Sequence, residues 1–529
     1  MNKEILKFCI EKGLLLDKEV YDILSNFEEK EARDIIERIS FCKDKIINKS
    51  FFIQNSQILK EYISQENREK LCVKLGVSIE ISHESVKIEE KEIENERKVK
   101  VLFSSINKTK KITVEDFVKY FRSRLSETKK ILLDRPELDN LVSINKINGQ
   151  RQNLSIIGIV SDKRVTKNKN IIFGIEDLTG KINVLVNQNK QDIYDKAKDI
   201  ILDTVIGVRG TGNRELIFAN DVVFPDVVVR EKINLERDES CAFISDIHVG
   251  SRMFLEKNFL KFIAWINGEL GDERQKEEAK KVKYLLITGD TIDGIGVYPG
   301  QEKLLDIKDI KEQYARLAFY LNKIRKDVTI ILCPGQHDAV RVAEPQPSID
   351  KEYASSLHEI ENLILVSNPS MIEITNNGKR GMRILMYHGA SMNSLISEID
   401  SLRTIKAHDT PSKIVRYMLK FRHLGPIHSS VTYIPNENTD ELAIKEIPDI
   451  ITTADLHRPD VDIYNNVLII CSSCWQSITP FEEKVGNHPD PCKVPVLNLK
   501  TRAIKILDFS DIQEKTCEEK DKEIVCEAK

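Results

Sequence analysis

The sequence lacks a surplus of basic charge. Across 529 residues, Lys and Arg number 80 against 84 Asp and Glu, a net charge of −4. No global electrostatic footprint for nucleic acid exists, so any such contact must use local patches. Long hydrophobic runs are also missing. Nothing approaches the roughly 18 to 20 consecutive apolar residues of a membrane helix, and the opening MNKEILKFCIEKG carries charges where a signal peptide has its apolar core. The expectation is an intracellular, cytoplasmic protein with no membrane partner. A disulfide framework is lacking too: Cys72, Cys241, Cys333 and Cys471, four of ten cysteines, sit inside apolar runs as buried thiols would. Only Cys471 and Cys474 have C-x-x-C spacing, and without a second pair they read as a strand end followed by a turn, not a zinc site. Hydrophobic residues at 41% exclude a wholly disordered chain, and the length exceeds what one core can serve.

What is present divides into segments of different period. Residues 1–75 read as a helical module, with apolar residues at helical spacing in EVYDILSNF and ARDIIERIS and Asp17 as an N-cap. Residues 76–130 turn charge-dense, in KIEEKEIENERKVK and SSINKTKK, and read as a linker followed by a short helix, ITVEDFVKYFRSRLSETKKILL. Residues 131–235 hold short β-branched runs separated by turns, with Ile182, Val184 and Val186 on one face and a hairpin loop over Asp177 to Gly180. They suggest a small antiparallel barrel of the OB type. Lys163, Arg164, Lys167 and Lys169 form a local cationic loop there, while Phe173, Phe218 and Phe224 are the only phenylalanines. Both direct binding of a DNA strand and a docking role remain open for this barrel, with docking the preferred reading. Residues 236–510 alternate buried strands with helices: CAFISDIHVG, KYLLITGD, DVTIILCPG, RILMYHG, DIITTADLH and NVLIICSS. Such strands belong to a layered α/β sheet with its site at their C-terminal ends. Residues 511–529 form a charged tail, and the fold class is multidomain α+β.

Nine of the ten histidines follow residue 236, which locates the chemistry. Asp246 and His248 follow one strand; Asp290 and Asp293 follow the next; Gln336, His337 and Asp338, then His388, then Asp455 and His457, follow three more. Carboxylate oxygens mixed with imidazole nitrogens suit a pair of ions such as manganese or iron, which together can bind a phosphodiester and activate a water.

The order D-x-H, GD-x-x-D, G-N-H-D, H-G, G-H-x-H resembles that of calcineurin-like metallophosphoesterases. More narrowly, FISDIHVGS, GDTIDGIGVYPGQE, CPGQHDAVRVAEPQP, LKFRHLGPIH and SSCWQSITPFEEKVGNHPDPCKVPVLNLKT resemble the small subunits of the archaeal D-family DNA polymerase. That resemblance implies an OB barrel packed on a phosphoesterase domain, with 3'-to-5' proofreading exonuclease activity. It implies a separate large catalytic subunit in a heterodimer or higher assembly, DNA primer 3' ends as substrate, a sliding clamp reached through the holoenzyme, and a nucleoid-associated location. It makes Asp246, His248, Asp290, His388 and His457 metal ligands, with Asp290 bridging two divalent ions, manganese or iron with magnesium as a third candidate. His337 would act catalytically from outside the metal sphere, donating to the phosphate or leaving oxygen.

Two positions depart from the pattern while keeping a donor atom, and both are counted among the ligands. Gln336 stands where the motif has Asn, and Asp455 where it has the first His. The Gln336 amide oxygen lies one methylene, about 1.5 Å, further out, and Asp455 should favour harder ions. The alternative is thus a catalytically inactive B-type subunit that scaffolds the polymerase. A free-standing phosphoesterase would leave the barrel and helical module unexplained. No carboxylate pair accompanies a nucleotide-binding loop, so polymerisation would have to come from the partner.

Overall fold

The computed structural model describes residues 99–105, 111–436, 438–485 and 487–510, and the two-residue strands β1 (Leu15–Leu16) and β2 (Ile46–Ile47), which pair in parallel. The chain forms two compact units, Met1–Glu96 and Arg97–Lys529. Apart from β1 and β2, the helical module expected over 1–75 lies outside the described residues, as does the tail over 511–529. All that follows concerns the second unit.

The expected linker needs correction. Val99–Ser104 is strand β3, antiparallel to a later strand through pairs such as Met371↔Phe103 and Ile374↔Val99. Its charged flanks conceal a short apolar stretch, and a long-range partner supplies the hydrogen bonds that make it a strand. Helix α1 (Val114–Leu133) also crosses the boundary placed at residue 130. Thr113 and Asp116 cap its start reciprocally, with the Thr113 N–H donating to the Asp116 carboxylate at 2.8 Å.

Strands β4 (Gln152–Val165), β5 (Ile171–Glu176), β6 (Lys181–Val186), β7 (Val205–Gly212) and β8 (Leu216–Val223) close into a barrel in the order β4-β5-β6-β8-β7. Helix α2 (Gln191–Lys198) connects β6 to β7. Every pairing is antiparallel except β6 with β8, which is parallel. Ile182, Val184 and Val186 alternate inward, as their spacing predicts. Asp177 holds the hairpin loop, accepting from the Thr179 and Gly180 N–H groups at 2.7 and 2.9 Å. Of the barrel phenylalanines, Phe173 and Phe224 are buried in the core and only Phe218 is exposed. Lys163 is spent internally, its ammonium donating to the Ile200 carbonyl at 2.8 Å.

The remainder is a sandwich of two six-stranded sheets. The first runs β12 (Leu363–Leu365), β11 (Thr329–Cys333), β10 (Val282–Thr288), β9 (Ser240–Ile244), β18 (Lys493–Asn498), β19 (Ile504–Asp508), and its first four strands are mutually parallel. The second runs β16 (Asp460–Tyr464), β17 (Val467–Cys471), β15 (Ile450–Thr453), β14 (Lys379–Met386), β13 (Ser370–Asn376), β3, with β14, β15 and β17 parallel. Alternation assigns the layers. Cys241 and Phe243 of β9 share a core with Met382, Ile384 and Met386 of β14, so these faces meet. Ala242 and Ile244 face the other way, onto α3 (Glu256–Ile266) and α4 (Ile310–Leu321) through Phe259, Phe262 and Leu317. On the far side of the second sheet, Leu385, Ile451 and Ile469 join the core of α5 (Pro411–Phe421) and of the barrel itself. Barrel and sandwich therefore share one hydrophobic core. Cys471 ends β17 and is a buried free thiol like Cys474, as the strand-end reading expects.

Candidate metal centre

The parallel strands of both sheets end at one place. Asp246 and His248 follow β9, Asp290 and Asp293 follow β10, His337 follows β11, His388 follows β14, and Asp455 and His457 follow β15. Five of these adopt left-handed backbone without being glycine: Asp246 (φ 46°), His248 (52°), Asp290 (47°), Asp455 (70°) and His457 (55°). Each such residue costs about 1 to 2 kcal/mol. Hydrogen bonds between the loops hold the conformation, the Asp246 N–H donating to Gly289 O and the His248 N–H to Asp290 O, each at 3.1 Å. Two glycines give the side chains room. A Cβ on Gly289 (φ +80°) would fall 2.2 Å from His388 Nδ1, and one on Gly335 would fall 2.2 Å from Asp290 Oδ1.

The imidazoles are oriented by what their second nitrogens bind. His248 Nδ1 lies 3.0 Å from Asp293 Oδ1, His457 Nδ1 2.8 Å from Glu482 Oε1, and His388 Nδ1 3.0 Å from the Thr288 carbonyl. With Nδ1 donating in each case, Nε2 offers its lone pair inward. His248 Nε2 and His457 Nε2 are then 3.4 Å apart, and His457 Nε2 is 3.4 Å from Asp246 Oδ1. His388 Nε2 is 3.3 Å from Asp290 Oδ2 and 3.8 Å from Asp455 Oδ1.

Lone pairs facing lone pairs need a cation between them, and the buried atoms carry that mark. Asp246 Oδ1, His388 Nε2 and Gln336 Oε1 are buried without a hydrogen-bond partner. Atoms able to ligate an ion converge in three groups: Asp246, His248 and His457; Asp246, Asp290 and His388; His248, Asp293 and His337. The donor set therefore fits divalent metal ions. The carboxylates and imidazoles also act on one another. Burial disfavours charge on His388, yet Asp290 leads the carboxylates that pull its pKa well above the usual value. On His457 burial is likewise outweighed, by Cys474 and then Asp246. Burial opposes ionisation of Asp290 as well, but His388 and His337 hold its carboxyl well below the usual range. Asp455 moves the other way: burial pushes it up against the pull of His388, with Asp290 and Asp246 adding to the rise.

His337 stands at the rim. Its Nδ1 is 2.8 Å from the Asp293 carbonyl, its Nε2 is 4.0 Å from Asp290 Oδ2, and its N–H donates to Asp290 Oδ1 at 2.8 Å. Gln336 belongs to the same strand-end loop as His337, and its amide oxygen is buried and accepts no hydrogen bond. The sequence motifs assign no role to Glu482, which fixes His457, or to Asn368, whose Oδ1 accepts from the His388 N–H at 2.9 Å. Neither lies at a motif spacing. Glu482 sits in the FEEKV segment, where paired acids on a short helix look like surface charge.

Known proteins share much of this sequence. Residues 241–461 match the family model of the DNA polymerase alpha/epsilon B subunit, which covers most of the sandwich. The chain belongs to the archaeal DNA polymerase II small-subunit family. The small subunit of Methanothermobacter thermautotrophicus is 36% identical over 512 residues, covering 96% of this chain and 100% of that one. That of Pyrococcus furiosus is 38% identical over 405 residues, 75% of this chain and 64% of that one, so the match leaves about a third of that longer protein uncovered. That of Archaeoglobus fulgidus is 37% identical over 398 residues, 75% of this chain and 78% of that one. No helix among the described residues is long and apolar enough to cross a membrane.

Proposed function

We propose that this chain is the small subunit of a two-subunit replicative DNA polymerase, that a separate large subunit carries polymerisation, and that the strand-end cluster is a two-metal 3'-to-5' exonuclease site. In this reading the sandwich is a calcineurin-like phosphoesterase domain. The barrel order β4-β5-β6-β8-β7, with its parallel β6–β8 pair and intervening helix, supports an OB-type fold. Its buried phenylalanines and the core it shares with the sandwich favour docking over strand binding.

The observation that carries the nuclease reading is the convergence of unpartnered Asp246 Oδ1 and His388 Nε2 on a cluster five of whose residues are held in left-handed backbone. Asp246, His248, Asp290 and His457 would hold one ion and Asp290, Gln336, His388 and Asp455 the other. Two bound divalent ions, manganese or iron by their mixed ligands, would supply Lewis acidity to the phosphate and a nucleophile at neutral pH. The chain's own residues do the rest. Asp293 and Glu482 fix the imidazole tautomers, Asp290 is kept anionic by His388 and His337, and His337 is oriented through Nδ1. When both its nitrogens are protonated, His337 can donate from Nε2 to the phosphate or the leaving oxygen.

The test is digestion of a 5'-labelled oligonucleotide by the purified chain with manganese. Stepwise shortening from the 3' end, abolished by a chelator, is expected. A silent wild type would overturn the nuclease reading in favour of a scaffold whose Gln336 and Asp455 mark a lapsed site.

A further inference from the structure

The cleft above the cluster encloses about 920 Å³, at the upper end of the ~300 to 1,000 Å³ usual for ligand sites. A single small diester does not need that space. Carboxylates and imidazoles line it, from Asp290, Asp293, Asp455, His248 and His457, and so does a mostly basic stretch of Arg403, Lys406, His408 and Asp409. The short helix Asp400–Thr404 and the turn over Ala407–Asp409 form this stretch. Leu402 and Ala407 are buried and pin it, while Arg403, Lys406 and His408 are exposed to the cleft.

Lys406 is distinctive in two respects. Its backbone is left-handed (φ 52°, ψ 59°) and is fixed by hydrogen bonds from Lys406 N–H to Arg403 O at 3.1 Å and from Asp409 N–H to Lys406 O at 2.9 Å. Its neighbours' polar groups are engaged: Arg403 with Asp400, Asp409 with Arg458 at 3.7 Å, and His408 Nε2 at 3.2 Å from Asn393 Oδ1. Among the described residues no carboxylate is ion-paired with the Lys406 ammonium. An uncommitted cation on a fixed turn, lining the same cleft as the proposed phosphodiester-cleaving cluster, can meet a second phosphate of a bound strand.

We infer that Lys406 binds the phosphodiester immediately 5' of the scissile one. This rests on the nuclease reading of the cluster, and the experiment separates the two. Fluorescence anisotropy of the full chain in a chelator is measured with two 5'-labelled oligothymidylates, one all-phosphodiester and one with a neutral methylphosphonate as its penultimate linkage. Lys406→Ala should weaken binding of the first about tenfold at low salt, and should lower the slope of log affinity against log salt by about 0.7, one phosphate contact on a single strand. The methylphosphonate should cost the wild type a similar factor and cost Lys406→Ala nothing further. Lys406→Arg should restore binding of the all-phosphodiester strand. Unchanged affinity in Lys406→Ala, or an equal methylphosphonate penalty in variant and wild type, overturns the inference. If this binding pattern holds while the wild type with manganese cleaves no strand, the nuclease reading fails and the phosphate contact stands.

Discussion

His457 shows what a single imidazole contributes. Its Nδ1 is committed to Glu482 and its Nε2 to the space shared with Asp246 and His248. Replacing Glu482 by Gln leaves a weaker acceptor and frees the ring to turn, so manganese affinity should fall about 10- to 100-fold. Isothermal titration measures it, and unchanged affinity would remove Glu482 from the site. Asp246→Asn replaces an anionic ligand by a neutral amide and His388→Ala deletes a ligand atom, so each should abolish nuclease activity with the fold retained by circular dichroism; wild-type rates in both would sink the assignment. The two departures make a sharper case. If Gln336 and Asp455 work as a matched pair, activity should drop in Gln336→Asn and in Asp455→His, with altered metal preference in the latter. A silent wild type rescued by the double variant would show a decayed site.

At the scale of elements, α1 is locked by one buried network. Arg124 Nε donates to Asp440 Oδ2 at 2.7 Å, the Tyr120 hydroxyl to Asp440 Oδ1 at 2.7 Å, and Arg124 also donates to the Pro426 carbonyl. His423 completes it. Its Nδ1 accepts from the Gly425 N–H at 3.0 Å, so Nε2 carries the proton given to Asp440 at 2.8 Å. Burial, then Arg124, keeps His423 below its usual pKa, while His423 and Arg124 hold Asp440 down against its own burial. Both folded-state values are depressed, so both contributions are complete above the unfolded pKa values and vanish as pH falls through the folded ones. Arg124→Ala strands a buried carboxylate and should cost about 3 to 5 kcal/mol at neutral pH. Urea unfolding from pH 7 to pH 3 should show the gap between wild type and Asp440→Asn closing as the solution acidifies; a gap independent of pH would refute this account.

Across the whole molecule, what the sequence discloses follows how local its signals are. Strands β9, β10, β11, β14, β15 and β17 are legible because strands covered on both faces are runs of apolar residues, and their polar ends name the residues that meet in the cleft. Strand β3 is not, because its few apolar residues lie among charges and its partner is some 270 residues away. Arg124 meets Asp440 across 316 positions with no period to announce it. Asn368 and Glu482 stay hidden because a polar residue on a loop or short helix has no spacing to betray its partner. The absence of a nucleotidyl-transfer motif belongs to this scale too. The isolated chain should not extend a primer, and extension should appear only when a large subunit is added. Template-directed synthesis by the rigorously purified chain would contradict this.

The left-handed ligands also have a historical consequence. Five non-glycine residues in that conformation burden the fold by several kcal/mol in all, about 1 to 2 each, and glycine at any of them would relieve the burden. A lineage that no longer needed the cluster would meet a downhill path of single substitutions toward glycine or asparagine at Asp246, His248, Asp290, Asp455 and His457. Descendants that have taken that path should be more heat-stable than this chain in the absence of metal, and the order in which the five were lost would record how the site was retired.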